Sequence, residues 1–392
     1  MPRRFFSASA SLWTLATLGS ALVVHGALAR PWPWLAGAAG LALARTAYRA
    51  GRAPLRASAA LGAALMLTFA AVEATLALAP ELGVAARFEG SYAELGAWAR
   101  HPDLGYAPPP GLSVGSRRVV HGRAVYDVTY TYDEHGLRRT PTPAATPPAT
   151  PAGSVLCFGC SFTLGEGVED DEAYPAQLAL RSGGALAVHN YGFHGYGPHQ
   201  MLARLQAGLV EPTLSAPPRH VVYLALTDHM TRAAGLKSWD PHGPWFEREG
   251  ERAVRRGTFD ARPWPPLASR AFLRRALQSV GARSALYTRL RQDPYESTGE
   301  HERLFEALVL TTRDEVARRF PSAQFHVIAW DLNPGWNETL TRLAARGIAV
   351  HRVSAIIGED EAVATLLIPG DLHPTPATHA RLASHVASLL GP

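Results

Sequence analysis

The chain is poor in charge and nearly without cysteine. Asp, Glu, Lys and Arg make up only 18% of its 392 residues while 47% are hydrophobic, a balance too apolar for a chain wholly surrounded by water, so part of it is expected in lipid. Its cysteines number two, Cys157 and Cys160. Their C-x-x-C spacing could mark a redox pair, but thioredoxin-like sites open a helix with both residues, and here the first falls inside an apolar, strand-like run. Two small residues at the end of a buried strand is the better reading, and with no ligand-spaced histidine nearby they do not make a structural zinc site. No metal or cofactor is expected. Also missing is a basic stripe interleaved with aromatics, so the net charge of +5 does not point to nucleic acid. Much of the excess is arginine beside amino-terminal apolar segments, where it reports membrane topology.

Those segments lie within residues 1–82. Residues 5–29 hold no Asp, Glu, Lys or Arg and are long enough to cross a hydrocarbon core of about 30 Å as a helix. Arg3 and Arg4 precede them as in a signal peptide, but the run is too long and further apolar segments follow, so an uncleaved anchor is expected. Residues 32–48 and 57–80 are the second and third candidates, the last interrupted only by Glu73. Arg45, Arg49, Arg52 and Arg56 fall between or beside these two, whereas the first connection carries only Arg30. With three crossings, the amino terminus is cytoplasmic and all that follows Pro80 is periplasmic or extracellular. The lipid bilayer is therefore an expected partner. Glu73, near the end of its segment, is explained by the outer interface.

Residues 83–152 read as a small β-rich connector. Residues 123–132 (RAVYDVTYTY) alternate with period two and form the clearest half-buried strand, with Asp133 to Gly136 as its turn. Residues 84–115 look irregular. Residues 140–151 (TPTPAATPPATP) cannot pack a core and read as an exposed linker.

Residues 153–392 alternate strand and helix. An apolar run from Val155 breaks at Gly159 and delivers Ser161, after which Gly165 and Gly167 loosen the chain. Further strands are expected over 186–190, 220–226, 324–330 and 348–353, with helices over 173–181, 198–209, 301–319, 336–346 and after Pro376. The pattern predicts an α/β fold: a three-layer α/β/α arrangement around a parallel five-stranded sheet, flavodoxin-like. The interval 233–300 is longer than an ordinary connection, and such insertions often cover a site. In this architecture Ser161, the glycine-rich turn Asn190–Gly197 and Thr227–His229 would share one crevice, to which Gly370-Asp371-Leu372-His373-Pro374 can add an acid and a base. Acyl transfer needs such a hydroxyl, imidazole, carboxylate and set of oxyanion donors.

These residues resemble the blocks of the SGNH, or GDSL-type, hydrolase family. Gly159-Cys160-Ser161-Phe162-Thr163 is similar to its first block, Asn190-Tyr191-Gly192-Phe193-His194-Gly195 to its second, and Asp371-Leu372-His373-Pro374 to its last. The resemblance spans about residues 153–392. It implies Ser161 as nucleophile, His373 as general base, Asp371 as its orienting acid, and the Ser161 and Gly195 N–H groups as oxyanion donors. Three positions depart from the family pattern. Cys160 replaces an Asp, Thr227 stands where an oxyanion Asn is usual, and Asp371 precedes His373 by two residues where three is commoner. Asp228 is the alternative acid. Asp228, His229 and Arg232 are candidates for a substrate carboxylate or sugar, set against ordinary packing; His194 and His199 are read likewise, and His379 as a helix-start residue.

The function implied is a membrane-anchored serine esterase acting on an acylated small molecule or glycan, with O-acetyl groups of a cell-envelope glycan as a plausible substrate. An O-acyltransferase of the same fold, or a degenerate module for glycan binding or assembly, are the alternatives. Oligomeric state is not encoded in any feature of the chain.

Overall fold

The computed structural model describes residues 32–49, 53–78, 86–92, 98–141, 151–237, 239–265, 267, 284, 286, 297–332, 335–358 and 362–389. The expected first span, 5–29, and most of the linker lie outside them. The chain divides into two compact units, one of Met1–Val84 with Trp264–Tyr295, the other of Ala85–Pro263 with Glu296–Pro392.

In the first unit, α1 (Trp32–Arg49) packs along α2 (Ala53–Leu78). Among the described residues one helical stretch, Ala57–Leu76, is long and apolar enough to cross a membrane; its 20 residues have a mean hydropathy of 1.7, and at 1.5 Å per residue they extend about 30 Å. Glu73, expected at an aqueous interface, is instead enclosed, 1% exposed. Its carboxylate accepts from the Ser284 hydroxyl and, at 3.0 Å, from the Leu286 N–H. Burial of a carboxylate is tolerated where such donors satisfy it.

The second unit begins with β1 (Ala86–Glu89), β2 (Ala99–His101), β3 (Gly105–Ala107), β4 (Ser113–Val120) and β5 (Arg123–Thr131). Strand β5 falls where period two places it, but β4 was not expected. Its run SVGSRRVV carries two arginines and reads as loop, yet it pairs antiparallel with β5 from Ser113↔Thr131 to Val120↔Arg123. Beyond the Asp133–Gly136 turn the chain doubles back, and Arg138 bridges both Tyr132 and Asn190. Strands β1 to β5 fall in the same compact unit as the sheet that follows.

That sheet comprises β6 (Gly153–Phe158), β7 (Leu186–Asn190), β8 (Pro218–Ala225), β11 (Gln324–Ala329) and β12 (Ala349–Arg352), in the order β7-β6-β8-β11-β12 and parallel throughout. Between them run α3 (Ser161–Leu164), α4 (Tyr174–Arg181), α5 (Pro198–Gln206), α6 (Asp228–Ala233), α7 (Gly299–Arg319), α8 (Asn337–Ala345), α9 (Val353–Ile357), α10 (Val363–Leu366) and α11 (Pro376–Leu389). Alternate strand residues enter different cores, as a parallel sheet covered on both faces requires. Val155, Cys157, Val222 and Leu224 meet α4 and α11, while Leu156, Phe158, Val221 and Tyr223 meet α5, α7 and α8. The fold is the expected three-layer α/β/α arrangement.

A third core gathers Tyr106, Tyr126, Val128, Tyr130 and Tyr132 of the amino-terminal strands with Leu164, Val168, Phe193 and Ile368 of the loops above the sheet. The insertion after α6 supplies a hairpin, β9 (Pro244–Glu249) and β10 (Arg252–Thr258). It rests on α7, with the Ala253 N–H donating to Thr311 Oγ1 at 2.8 Å. The chain leaves β6 for β7 on one side and then crosses from β7 back past β6 to β8 on the other, so the strand order reverses at β6. Sheets of this kind place ligands outside the carboxyl ends of strands at such a reversal.

Candidate active site

At that reversal β6 ends on Gly159, whose φ of +156° brings the backbone against α3. A Cβ here would lie 2.1 Å from Thr163 Oγ1 and 3.1 Å from the Leu224 carbonyl oxygen, so no larger residue fits the turn. Ser161 then opens α3, and neither its N–H nor that of Gly195 has an acceptor among the described residues. Both are available as oxyanion donors.

His373 reaches the serine from the loop before α11. Its Nε2 lies 2.9 Å from Ser161 Oγ and its Nδ1 2.6 Å from Asp371 Oδ2. The short Asp-x-His spacing is accommodated at Leu372, an exposed residue with a left-handed φ of +73°. That turn is closed by Ile368, whose N–H donates to the His373 carbonyl at 2.7 Å and whose own carbonyl accepts from Asp371 and Leu372. The left-handed residue brings acid and base face to face, at a conformational cost of about 1–2 kcal/mol for a non-glycine.

The second block is tied to the first by Asn190, whose side-chain amide donates to the Thr163 carbonyl at 3.0 Å and accepts the Gly192 N–H at 3.0 Å. Further along, Tyr106 Oη donates to the His194 carbonyl at 2.7 Å and Arg232 Nη1 to the Tyr196 carbonyl at 2.9 Å. Thr227 begins α6 half-buried, and its hydroxyl makes no hydrogen bond among the described residues.

The other expected residues fall elsewhere. Asp228, the alternative acid, is paired with Arg232 at 2.6 Å and Lys237 at 2.7 Å. Burial opposes its ionisation, but Arg232 and then Lys237 outweigh it and hold its carboxyl below the usual range. Asp228 and Arg232 therefore pair with each other, and Arg232 also holds the Asn190–Gly197 turn. His229, with 0% exposure, takes the packing alternative and lies in the core, its Nδ1 accepting from Tyr223 Oη at 2.6 Å and from the Leu226 N–H at 3.3 Å. The tight turn into α6 points it inward. His199 is buried against Asp240, and His379 accepts the Tyr174 N–H. Both cysteines are free and buried, and desolvation pushes the Cys157 thiol up to about 12, which removes the thiolate that redox chemistry needs.

Three residues were not legible in the sequence. Glu166 Oε2 lies 2.6 Å from His194 Nδ1 and 3.4 Å from His373 Nε2. Arg118 of β4 places Nε 3.4 Å from Asp371 Oδ1. Arg138, fully buried, donates to the carbonyls of Leu164 and Val168 at 2.7 Å and to Asp170 at 2.9 Å, satisfying the carboxyl end of α3. A glutamate between Gly165 and Gly167 was the one available signal; the arginines lie in distant segments with no local pattern.

Burial disfavours charge on His373, but Glu166 and then Asp371 more than offset it, and its pKa lies above the usual imidazole value. Glu166, although buried, is lowered to about 2 by His373, His194 and Arg118. Glu166, Asp371 and His373 offer ligand atoms all within 4.8 Å of one another. The imidazole already engages each of the two carboxylates, and the guanidinium beside Asp371 repels a cation, so the cluster suits a shared proton.

Solved structures that align with the chain include a member of the lipolytic protein G-D-S-L family from Veillonella parvula, 13% identical over 61% of this chain and 98% of that one, with a TM-score of 0.34. An acetyl xylan esterase from the rumen bacterium Butyrivibrio proteoclasticus is 11% identical over 62% and 64%, with a TM-score of 0.36. A carbohydrate esterase family 2 enzyme with a carbohydrate-binding domain, from Corynascus thermopiles, is 15% identical over 70% and 71%, with a TM-score of 0.31. No family model matches the chain, and no curated protein does.

Proposed function

We propose that the protein is a membrane-anchored serine esterase that cleaves an acyl ester through a Ser161 acyl-enzyme. The observation that carries this reading is the continuous relay from Ser161 Oγ through His373 to Asp371, at 2.9 and 2.6 Å. Ser161 Oγ attacks the ester carbonyl while His373 Nε2 takes its proton; Asp371 steadies the imidazolium. The oxyanion faces the Ser161 and Gly195 N–H groups, with the Thr227 hydroxyl as third donor. The proton then passes to the leaving alcohol, and water repeats the sequence to free the acid. An intact relay exceeds what a binding module requires.

For substrate we favour an O-acyl, above all O-acetyl, group on a cell-envelope glycan. Trp98 and Trp239 are part-exposed and border the second block, Trp98 stacking on His194 and Trp239 Nε1 abutting Gly195. Aromatic faces beside the oxyanion turn suit a sugar ring. The arginine distribution favours a periplasmic or extracellular position for the site. The test is labelling of the full-length protein by a fluorophosphonate serine probe. Wild type should label, and Ser161→Ala should lose all labelling while keeping its thermal midpoint; unchanged labelling in the variant would remove Ser161 from this role.

A further inference from the structure

Glu166 lies outside the Asp371–His373–Ser161 relay, yet its Oε2 is 3.4 Å from His373 Nε2, the nitrogen that must receive the serine proton. It is 7% exposed and held from several sides. Left-handed Gly165 and Gly167 flank it, and the Gly167 N–H donates to Tyr130 Oη at 2.9 Å. Arg138 fastens the carbonyls of Leu164, Gly165 and Val168 around it. From the second block, the His194 Nδ1–H donates to its carboxylate at 2.6 Å. The His194 ring is itself wedged among Tyr92, Trp98, Tyr130 and Phe193. So much structure around one side chain is unexplained by the relay alone.

We propose that Glu166 is a second carboxylate of the catalytic centre, which faces His373 Nε2, strengthens it as a base and receives the imidazolium once Ser161 Oγ has bonded to the substrate carbon. The inference rests on the Ser161 acyl-enzyme reading. In the resting site His373 donates its Nδ1–H to Asp371, and the Nε2 lone pair accepts from the serine hydroxyl. A carboxylate oxygen 3.4 Å from that lone pair has no proton to share with it, so its field favours the protonated ring. On attack the Oγ–H bond breaks, the Oγ–C bond forms and the proton moves to Nε2. Oγ, now an ester-like oxygen, is a weak acceptor, and Glu166 is the anion that remains. The same proton then leaves with the alcohol oxygen, restoring the neutral ring.

The titratable and charged groups around His373 come from six segments of the chain. Asp371 lies on its own loop with Arg118 of β4 behind it, Glu166 follows α3 with His194 behind it, Arg232 of α6 opposes protonation, and His379 of α11 is neutral and buried. Glu166 is thus the one anion aimed at Nε2 among the described residues, and Asp371 the one at Nδ1.

The test is the pH dependence of Ser161 phosphonylation by a fluorophosphonate probe in the full chain, wild type against Glu166→Gln. The glutamine keeps an oxygen for the His194 N–H and removes only the charge. The midpoint of the acid limb should fall by about one pH unit or more, with the plateau rate down about tenfold. A slowed variant with an unmoved midpoint would show that Glu166 merely shapes the loop, and would overturn the proposal. Where Glu166→Gln does not fold, Glu166→Asp reads the same quantity: its charge, withdrawn by one methylene, should lower the midpoint by less, and no movement would overturn the proposal. Folded wild type that fails to label at every pH removes the acyl-enzyme reading and this inference together, whereas labelled wild type with an unmoved variant removes only the role of Glu166.

Discussion

At the Ser161 turn the histidines face carboxylates, whereas on β8, β11 and β12 they face one another. His220 Nδ1 lies 3.3 Å from His326 Nε2, and His326 Nδ1 lies 3.3 Å from His351 Nε2, on one sheet face with His385 of α11 against His351. The register sets this row diagonally, since His220 pairs with Gln324 and His351 with Ile328. Both groups are largely withdrawn from water, and desolvation alone would lower all of them. His326 is indeed lowered, to about 4, by burial and then by His220 and His351. His373 moves the other way because Glu166 and Asp371 answer its charge. Neighbours, more than depth, decide whether a histidine here is a base or a neutral packing group.

The comparison breaks most visibly when the carboxylate is removed. Asp371→Asn should lower kcat/KM for a small aryl ester by about 10³–10⁴-fold through loss of the oriented tautomer, while Asp228→Asn, whose carboxylate engages Arg232 and Lys237, should fall far less. Equal losses would transfer the orienting role to Asp228.

Acid stability sharpens the contrast. The folded pKa of His326 is about 4, below an unfolded value of about 6.5, so the unfolded chain takes the proton first as pH falls. The stability held by the neutral row is full above about pH 6.5 and is lost toward pH 4. His326→Gln should therefore flatten the pH dependence of unfolding in that window by about 1–2 kcal/mol, a value discounted for solvent screening of a partly open row. Thermal midpoints at pH 7.5 and 4.5 read this directly. For His373 the sign is reversed, its contribution being present below about pH 6.5 and lost as pH rises through its raised folded pKa. The smallest effect is expected at Leu372, whose side chain is exposed. Leu372→Gly should relieve the left-handed strain and leave a net gain on the order of 0.5 kcal/mol after the added entropy of glycine in the unfolded chain, measured as a denaturation midpoint, with activity unchanged.

Strand β6, the five-stranded alternation and the trio Ser161, Asp371 and His373 were all legible because each is a local pattern: an apolar run ended by glycine, a period of strand and helix, a short acid–base loop. Strand β4 was not, because its arginines suppress the apolar signal and only pairing with β5 makes it a strand. Nor was the β9–β10 hairpin, which reads as part of a long insertion until α7 offers it a surface. The position of His229 after β8 leaves both crevice and packing open in the sequence, and its hydrogen bond to Tyr223 sets it in the core.

By itself the sequence determined the α/β/α alternation and the residue types of the relay, since periodicity and turn chemistry act over a few residues. Tertiary structure alone decided which charges surround that relay. Arg138 meets Leu164 across 26 residues of chain and His194 meets Glu166 across 28, while Glu166 and Arg118 reach His373 and Asp371 from more than 200 residues away, and a Coulomb interaction depends on distance in space. The imidazole that the sequence offered as a base faces a second carboxylate only where the turn after α3 meets the loop before α11.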